Sequence, residues 1–318
     1  MKEMKSSDKN GALSLRFATL VALGSASSLA LLISAVSYPL SGLLLRPPMK
    51  RTSQQKWSRL IRFIERLGIE VEDIVFSSFD QTKLRGWWMG AAPGAPTVII
   101  LHGLTKNRTD VIRTVLVLRR SGLNVLVFDG RGHGDSERRN ITYGFYERHD
   151  VESVIETLVT SKKIEKGQIG LAGESMGAAI ALQVAAYNPW IRAVWADSSF
   201  SSLGRIAQDY AHRATHLPDA VLSPILWTSK KLANYRGRFN VESVAPVTLA
   251  RAIRCPVFLV HGAADELVKS AHSESIYKAL GGKKKIWIVE GARHTRSVRR
   301  AKLEYSERIL SFFKEHLN

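Results

Sequence analysis

The chain has 318 residues, of which 45% are apolar and 23% charged, a composition that excludes a disordered protein and fits one globular domain with an extension. Its net charge is +18, and the lysines and arginines are spread along the whole chain. This charge favours an anionic membrane surface as partner, or a solvated basic surface, over nucleic acid, because no helix-turn-helix, zinc-finger or aromatic RNA-binding signature accompanies it. The single cysteine, Cys255, excludes an intrachain disulfide and argues against a cysteine metal site.

The first predicted element is a membrane span. Basic residues occur up to Arg16, and residues 17–45 then carry no charge. A helix needs about 20 apolar residues to cross a bilayer core, a length that residues 17–36 supply. We therefore expect residues 1–45 to form an N-terminal tail and single-pass anchor. The alternatives are a buried core helix or a cleaved secretory signal with its site near Ser37, although signal cores usually span only about 7 to 15 residues. Basic residues on both sides of the run leave the orientation open.

Residues 46–68 read as a basic amphipathic linker helix. Its apolar positions at helical spacing are Trp57, Leu60, Ile61, Ile64 and Leu67. Basic side chains occupy the opposite face of the predicted helix. Such a helix lies either on the lipid interface or against the globular domain, and the pattern does not distinguish the two placements.

Strand and helix patterns alternate from residue 69 to residue 318, which we expect to be the globular domain. Strands are predicted at residues 71–76, 84–89, 97–101, 125–128, 169–172, 193–196, 256–260 and 285–289. Helices are predicted at residues 109–120, 147–161, 270–280 and 299–317, and directly after residue 177. This alternation predicts an α/β fold with a mostly parallel, doubly wound sheet whose first two strands form an antiparallel edge.

A Gly-x-Ser-x-Gly box at residues 173–177 lies between an apolar strand and a helical pattern rich in small residues. A serine on such a strand-to-helix turn projects its hydroxyl into the crevice at the carboxyl end of the sheet. Gly173 and Gly177 avoid collisions as the chain doubles back. By itself the box is expected in about one chain in ten by chance, so its position between strand and helix carries the argument. Ser175 is the candidate nucleophile.

A serine hydroxyl needs a base to take its proton, and the base needs a third group to orient it. Asp265 follows one late strand and His294 follows the next. Because the carboxyl ends of parallel strands meet at one edge of a sheet, Ser175, Asp265 and His294 are predicted to converge as a catalytic triad.

Each partner has an alternative interpretation. Asp265 could instead cap the helix that follows it, in which case Asp197 is the best replacement acid. His294 could be a surface loop histidine. His102, His133 and His261 also occupy glycine-flanked turns, and we expect them to shape their loops. The tetrahedral oxyanion requires two backbone donors, for which we predict the N–H groups of Met176 and Leu104.

Several motifs appear in the chain order of a known family. They are the Ser175 box, His102-Gly103 at a strand end, Asp-Gly-Arg-Gly-His-Gly-Asp-Ser at residues 129–136, Asp-Ser-Ser-Phe-Ser-Ser at residues 197–202, and the Asp265 and His294 loops. Together they resemble α/β-hydrolases of the serine aminopeptidase-like group, including membrane-anchored bacterial members. The resemblance covers residues 69–318. It implies an α/β-hydrolase fold, a structural role for residues 129–136, and a small helical lid at residues 203–254.

The expected function is that of a serine esterase or lipase-like acyl hydrolase working through an acyl-enzyme. The lid is rich in aliphatic and aromatic residues that are predicted to wall an apolar pocket for a small-molecule or lipid-like acyl substrate. A peptidase or amidase of the same fold is the first alternative, and a non-catalytic membrane scaffold is the second. The sequence implies no metal or organic cofactor and leaves the oligomeric state open.

The sequence departs from the family pattern around His294. The arginines there are Arg293, Arg296, Arg299 and Arg300. They either attract acidic or phosphate-bearing substrates or face solvent.

Overall fold

A computed structural model describes residues 27–49 and 54–317 of the chain. Two helices precede the sheet, α1 (Ser27–Leu45) and α2 (Gln54–Arg66). The strands are β1 (Glu72–Ser77), β2 (Lys83–Met89), β3 (Thr97–Leu101), β4 (Asn124–Phe128), β5 (Ile169–Glu174), β6 (Ile191–Asp197), β7 (Val257–Gly262) and β8 (Lys284–Val289). The other α-helices are α3 (Ile112–Arg120), α4 (Glu147–Ser161), α5 (Met176–Tyr187), α6 (Leu203–Thr215), α7 (Asp219–Gly237), α8 (Pro246–Leu249), α9 (Ala271–Ala279), α10 (Ser297–Arg300) and α11 (Lys302–Leu317).

The strands of the described residues form one sheet in the order β1-β2-β4-β3-β5-β6-β7-β8. The pairs β1–β2 and β2–β4 are antiparallel, and all the other neighbouring pairs are parallel. This order confirms the predicted doubly wound sheet with an antiparallel edge. Every residue of β3 and β4 is buried, as expected for central strands covered by helices on both faces.

Two apolar clusters cover the two faces of the sheet. One contains buried residues of α4 and α5, and the other contains buried residues of α2, α3 and α11. One helix from each cluster, α5 and α11, contacts β5, so the strand that leads to Ser175 is held from both sides. A rigid sheet edge of this kind is what fixes the positions of side chains in the loops that follow its strands.

Two helices differ from their predicted bounds. The helix expected from residue 109 begins at Ile112, because the Asn107 side chain accepts hydrogen bonds from the Thr109 N–H and hydroxyl at 2.9 and 2.7 Å and forms a local turn. The helix expected from residue 299 is divided at Ala301, whose φ and ψ of −114° and 49° are not helical. α11 then continues to Leu317.

The apolar face of α2 lies against the sheet, which is one of the two placements expected for the linker. Trp57 packs edge-on against Trp87 with ring centroids 5.6 Å apart, and the Ile64 side chain is fully buried. The guanidinium of Arg108 stacks over the Trp57 ring at 3.6 Å. Part of the core of the globular domain therefore comes from residues before residue 69.

Among the described residues, α1 is the helix long and apolar enough to cross a membrane, with a mean hydropathy of 1.8. Residues 17–26 of the predicted span lie outside the described residues. The helix ends at Leu45, which is the last residue of the expected tail and anchor. Leu31 is 73% exposed near its beginning, whereas Ser41 and Leu45 are buried near its end. One end of α1 is thus free of the domain, and the other end is packed against it.

Candidate active site

Ser175 lies on a strained turn between β5 and α5. Its φ and ψ are 55° and −115°, a left-handed backbone conformation that non-glycine residues rarely adopt. The flanking glycines are required by contact. A Cβ on Gly173 would lie 2.3 Å from the Gly177 carbonyl oxygen, and a Cβ on Gly177 would lie 2.2 Å from the Leu101 carbonyl oxygen. The box therefore forms the expected strand-turn-helix elbow, with Ser175 at its apex.

His294 bridges the serine and Asp265. The Ser175 hydroxyl donates to His294 Nε2 at 2.9 Å, and His294 Nδ1 donates to Asp265 Oδ2 at 2.7 Å. The three side chains come from the loops after β5, β7 and β8, which meet at the carboxyl edge of the sheet. The structure thus brings together the three residues that the sequence nominated.

The Asp265 carboxylate is held ionised in a buried position. Its Oδ1 accepts the backbone N–H groups of Leu267 and Val268, both at 3.0 Å. Burial by itself would raise the pKa of Asp265, but the hydrogen bonds from His261 and His294 outweigh it and hold that pKa well below its usual range. An ionised carboxylate at this position fixes the His294 ring with Nε2 facing the serine.

Asp197, the replacement acid, has different partners. Its Oδ1 accepts hydrogen bonds from the hydroxyls of Ser198 at 2.9 Å and Ser297 at 3.3 Å. Burial raises the pKa of Asp197 to about 6, so its charge is less firmly held than that of Asp265. The geometry favours Asp265 as the partner of His294.

The three other turn histidines bind loop backbone. His102 Nδ1 donates to the Gly103 carbonyl at 2.8 Å, and its Nε2 accepts the Gly130 N–H at 2.9 Å. His133 donates to the carbonyl of Arg131 at 2.9 Å. Burial lowers the pKa of His102 to about 4 and that of His133 to about 3, which keeps both rings neutral. His261 donates to the Val268 carbonyl at 2.7 Å and so positions the Asp265 loop.

Ser175 opens into an apolar cavity of about 60 Å³. Leu104 and Met176, the two residues nominated as oxyanion donors, both line it. The lid contributes Leu203, Ile206, Ala207 and Tyr210 from α6. The remaining lining residues are Leu44, Tyr143, Phe200 and Val268. An apolar chain bound beside the nucleophile would therefore contact α6 directly, whereas the lid residues Trp227 and Tyr235 on α7 are 61% and 84% exposed.

The sequence did not reveal the contributions of Leu44 and Tyr143 to this cavity. Both come from segments remote from the catalytic loops, and neither belongs to a recognisable motif. Tyr143 has a positive φ of 56°, a backbone conformation that its residue type does not predict. Leu44 was interpreted only as part of the uncharged N-terminal run.

Two of the four arginines near His294, Arg296 and Arg299, line a separate polar cavity of about 110 Å³. Its lining residues include Lys106, Arg113, Glu174, Arg296 and Arg299. Burial, followed by the nearby charge of Asp197, raises the pKa of Glu174 to about 8, so this carboxyl is largely protonated at neutral pH. Arg300 donates to the Glu290 carbonyl at 3.4 Å. Within the described ranges, no group of three His, Cys, Asp or Glu side chains has the arrangement of a metal site.

The doubly wound sheet and the serine elbow at its carboxyl edge define an α/β-hydrolase. The sequence model of the alpha/beta hydrolase family matches residues 98–303. The chain belongs to that family, and it is a hydrolase with the fold that the sequence predicted.

Two groups of known proteins are similar to the chain. The Bacillus subtilis protein YqkD is 30% identical over 253 residues, which cover 75% of this chain and 82% of that protein. The Escherichia coli K12 protein YfhR is 27% identical over 230 residues, covering 70% and 73%. Among solved structures, the Pyrococcus furiosus esterase Pf2001 is 26% identical, with a TM-score of 0.68, and the match covers 86% of this chain and 100% of that one. An acylaminoacyl peptidase from Pyrococcus horikoshii, 20% identical with a TM-score of 0.60 over 78% of this chain and 42% of its own, shares the fold.

Proposed function

We propose that the protein is a serine hydrolase that cleaves carboxylic esters through an acyl-enzyme. The observation that carries the proposal is His294, which bridges Ser175 and Asp265 at 2.9 and 2.7 Å beside an apolar cavity. Similarity to the Pyrococcus furiosus esterase over that protein's whole length supports the choice of an ester bond.

Acylation begins with proton transfer. His294 Nε2 accepts the hydroxyl proton of Ser175 as Oγ attacks the ester carbonyl, and the ionised Asp265 stabilises the imidazolium that results. The backbone N–H groups of Leu104 and Met176 stabilise the negative oxygen of the tetrahedral intermediate. The protonated His294 then donates its proton to the leaving alkoxide, and the acyl group remains on Ser175.

Deacylation repeats these steps with water. His294 takes a proton from the water, the hydroxide attacks the acyl carbonyl, and the same two N–H groups hold the second oxyanion. Collapse of this intermediate returns the proton to Ser175 and releases the carboxylic acid. The acyl chain occupies the cavity lined by Ile206 and Tyr210 during both stages.

The test is labelling with a fluorophosphonate probe, together with turnover of p-nitrophenyl esters and aminoacyl amides. The wild-type protein should be labelled and should hydrolyse esters faster than amides. Ser175→Ala should abolish both signals while leaving the fold intact, because alanine fits the turn. Residual turnover within about tenfold of wild type would remove Ser175 from the mechanism. Preference for amides would indicate a peptidase or amidase, and absence of labelling would indicate a non-catalytic scaffold.

We further propose that α1 anchors the hydrolase to a membrane. The basic residues elsewhere in the chain would then face an anionic lipid surface. Support comes from residues on both sides of the alternative signal-cleavage site. Ser37 and Ser41 are both fully buried against the domain, so the segment around that site is packed as part of the protein. The exposed apolar residues Leu29, Leu31 and Leu32 supply the lipid-facing surface.

A further inference from the structure

The cavity beside Ser175 has one wall that comes from outside the hydrolase sheet and its lid. Leu44, in the last turn of α1, lines this cavity together with Leu104, Met176 and Ile206. We infer that Leu44 is a specificity-determining residue that sets the acyl-chain length the site accepts, and that the anchor helix is thereby part of the substrate pocket. The inference rests on the proposed function, since it assigns a contact to the acyl group of the ester.

The end of α1 is fastened to lid helix α7. The Ser37 hydroxyl donates to the Ile225 carbonyl at 3.0 Å. Arg236 donates to the Tyr38 carbonyl at 3.0 Å and to the Ser41 hydroxyl at 2.6 Å, and its guanidinium lies 4.4 Å from the centre of the Tyr38 ring. Ser41 lies four residues after Ser37 and three after Tyr38, so these polar contacts fall on one face of α1. They hold α1 and α7 in a defined relation.

The residues that follow are fastened to the loop before α4. The Tyr143 hydroxyl donates to the Leu44 carbonyl at 2.9 Å, and the Ile141 N–H donates to the Leu45 carbonyl at 2.9 Å. Arg46 Nε donates to Asn140 Oδ1 at 2.7 Å. Tyr143 itself lines the cavity. Leu44 is therefore held between the lid and this loop, as a fixed wall of the pocket.

The acyl-chain length that the site prefers should depend on the side chain at Leu44, because the cavity of about 60 Å³ is small. In apolar pockets, a change of one methylene in the available space is worth about 10- to 200-fold in specificity. A larger side chain at this position would shorten the space for the acyl chain, and a smaller one would lengthen it. The two changes should act in opposite directions, which a general loss of stability would not produce.

Leu43 provides a matched control. It precedes Leu44 on the same helix and has the same side chain, but it is 52% exposed and is not among the residues that line the cavity. A substitution at Leu43 therefore reports the effect of altering α1 without altering the pocket.

The experiment compares Leu44→Trp, Leu44→Ala and Leu43→Trp in the full-length protein held in amphipol. The measured quantity is kcat/KM for p-nitrophenyl esters from acetate to dodecanoate. Leu44→Trp should lower the ratio of octanoate to acetate turnover by about tenfold or more. Leu44→Ala should move the preferred ester to a longer chain, and Leu43→Trp should keep the wild-type profile.

A second measurement separates this inference from the proposed chemistry. Binding of the fluorescent fatty acid cis-parinaric acid is followed in the Ser175→Ala background, where no reaction occurs. Adding Leu44→Trp should weaken binding about tenfold, and adding Leu43→Trp should not. If the protein hydrolyses esters but Leu44 changes neither the profile nor binding, the inference is wrong. If binding changes while the wild-type protein hydrolyses no ester, the inference holds and the proposed reaction is wrong.

Discussion

At the scale of single residues, three carboxyl groups near Ser175 differ because their surroundings differ. Burial raises the pKa of Asp265, but hydrogen bonds from His261, His294 and the Val268 N–H outweigh it and keep that pKa low. Asp197 and Glu174 are also desolvated, and burial raises their pKa values to about 6 and about 8. Hydrogen bonds to the charged form therefore decide which carboxylate stays ionised beside the histidine.

We predict that Asp265→Asn lowers kcat by about 10⁴, by analogy with triads whose aspartate holds the histidine tautomer. The asparagine Nδ2 would donate to His294 Nδ1, so Nε2 would carry the proton and could not accept one from Ser175. Asp197→Asn should cost much less, because Asp197 is bonded to Ser198 and Ser297. Steady-state kinetics on a short p-nitrophenyl ester measures both. A larger loss from Asp197→Asn would reassign the acid.

Glu174 should make stability depend on pH. Its pKa of about 8 in the folded protein lies above the ordinary value of 4.5, so between these values the folded state holds a proton that the unfolded state has lost. The free energy of unfolding contributed by this group is therefore fully present below about pH 4.5 and falls as pH rises towards 8.

The variant Glu174→Gln should remove this contribution. Its stability relative to wild type should increase as pH rises from about 5 to about 8, the window set by the raised pKa. Urea unfolding of the full chain at several pH values measures the difference. Glu156→Gln, at an exposed position on α4, is the control and should follow wild type. A constant difference between Glu174→Gln and wild type would show that Glu174 loses its proton at the same pH in both states.

At the scale of secondary-structure elements, both helices before the sheet serve the hydrolase. α2 covers part of one face of the sheet through Trp57 and Ile64, and α1 reaches the cavity through Leu44. The lid helix α7 holds α1 by three hydrogen bonds, from Ser37 and Arg236. An isolated helix of 13 residues, the length of α2, is marginal in water. The packing of Trp57 and Ile64 on the sheet, rather than intrinsic helix propensity, therefore stabilises α2.

We expect Ile64→Ala to lower the free energy of unfolding by about 2 to 5 kcal/mol, because it removes a fully buried side chain and leaves a cavity. Phe63→Ala, at the neighbouring position, should change it by less than about 0.5 kcal/mol, since Phe63 is 49% exposed. Chemical denaturation of the two variants gives the comparison. Equal effects would mean that α2 is not packed on the sheet through this face.

At the scale of the whole molecule, the net positive charge and the apolar helix α1 are the two features on which the proposed membrane attachment rests. The chain carries 46 basic and 28 acidic residues, and α1 presents exposed leucines at its beginning. A spanning helix gives attachment that salt and alkaline carbonate do not reverse, whereas attraction between charges is screened over about 10 Å at 0.1 M salt and about 3 Å at 1 M. Fractionation can therefore distinguish the two contributions.

We predict that the full-length protein remains with membranes after washing with high salt and with alkaline carbonate. The double variant Leu31→Lys/Leu32→Lys should move to the soluble fraction, because a charge within a span is unfavourable, by up to about 2.5 to 3.5 kcal/mol at its centre. Leu303→Lys, at an 80% exposed position on α11, should stay with the membranes. Recovery of wild-type protein in the soluble fraction, with its N-terminus near Tyr38, would favour the cleaved-signal alternative.

The sequence alone was sufficient to predict the sheet and the elbow, and to nominate Ser175, Asp265 and His294 as the candidate triad. Strands covered on both faces, such as β3 and β4, appear as short continuous apolar runs and are recognised without tertiary information. The Ser175 turn is equally local, because the steric requirement for Gly173 and Gly177 arises within a few residues. Asp265 and His294 could be nominated since parallel strands bring the loops after them to one edge.

Other features were decided only by the tertiary structure. Asp197 ends β6 and Asp265 lies in the loop after β7, and only their three-dimensional partners show which one contacts His294. The start of α3 depended on the side-chain turn at Asn107, which competes with helix formation. The apolar faces of α1 and α2 would be buried as favourably by lipid as by protein, because the hydrophobic effect has no direction. The packing of Trp57 on the sheet, and of Leu44 beside Ser175, was therefore set by contacts between segments distant in the chain, which no local pattern encodes.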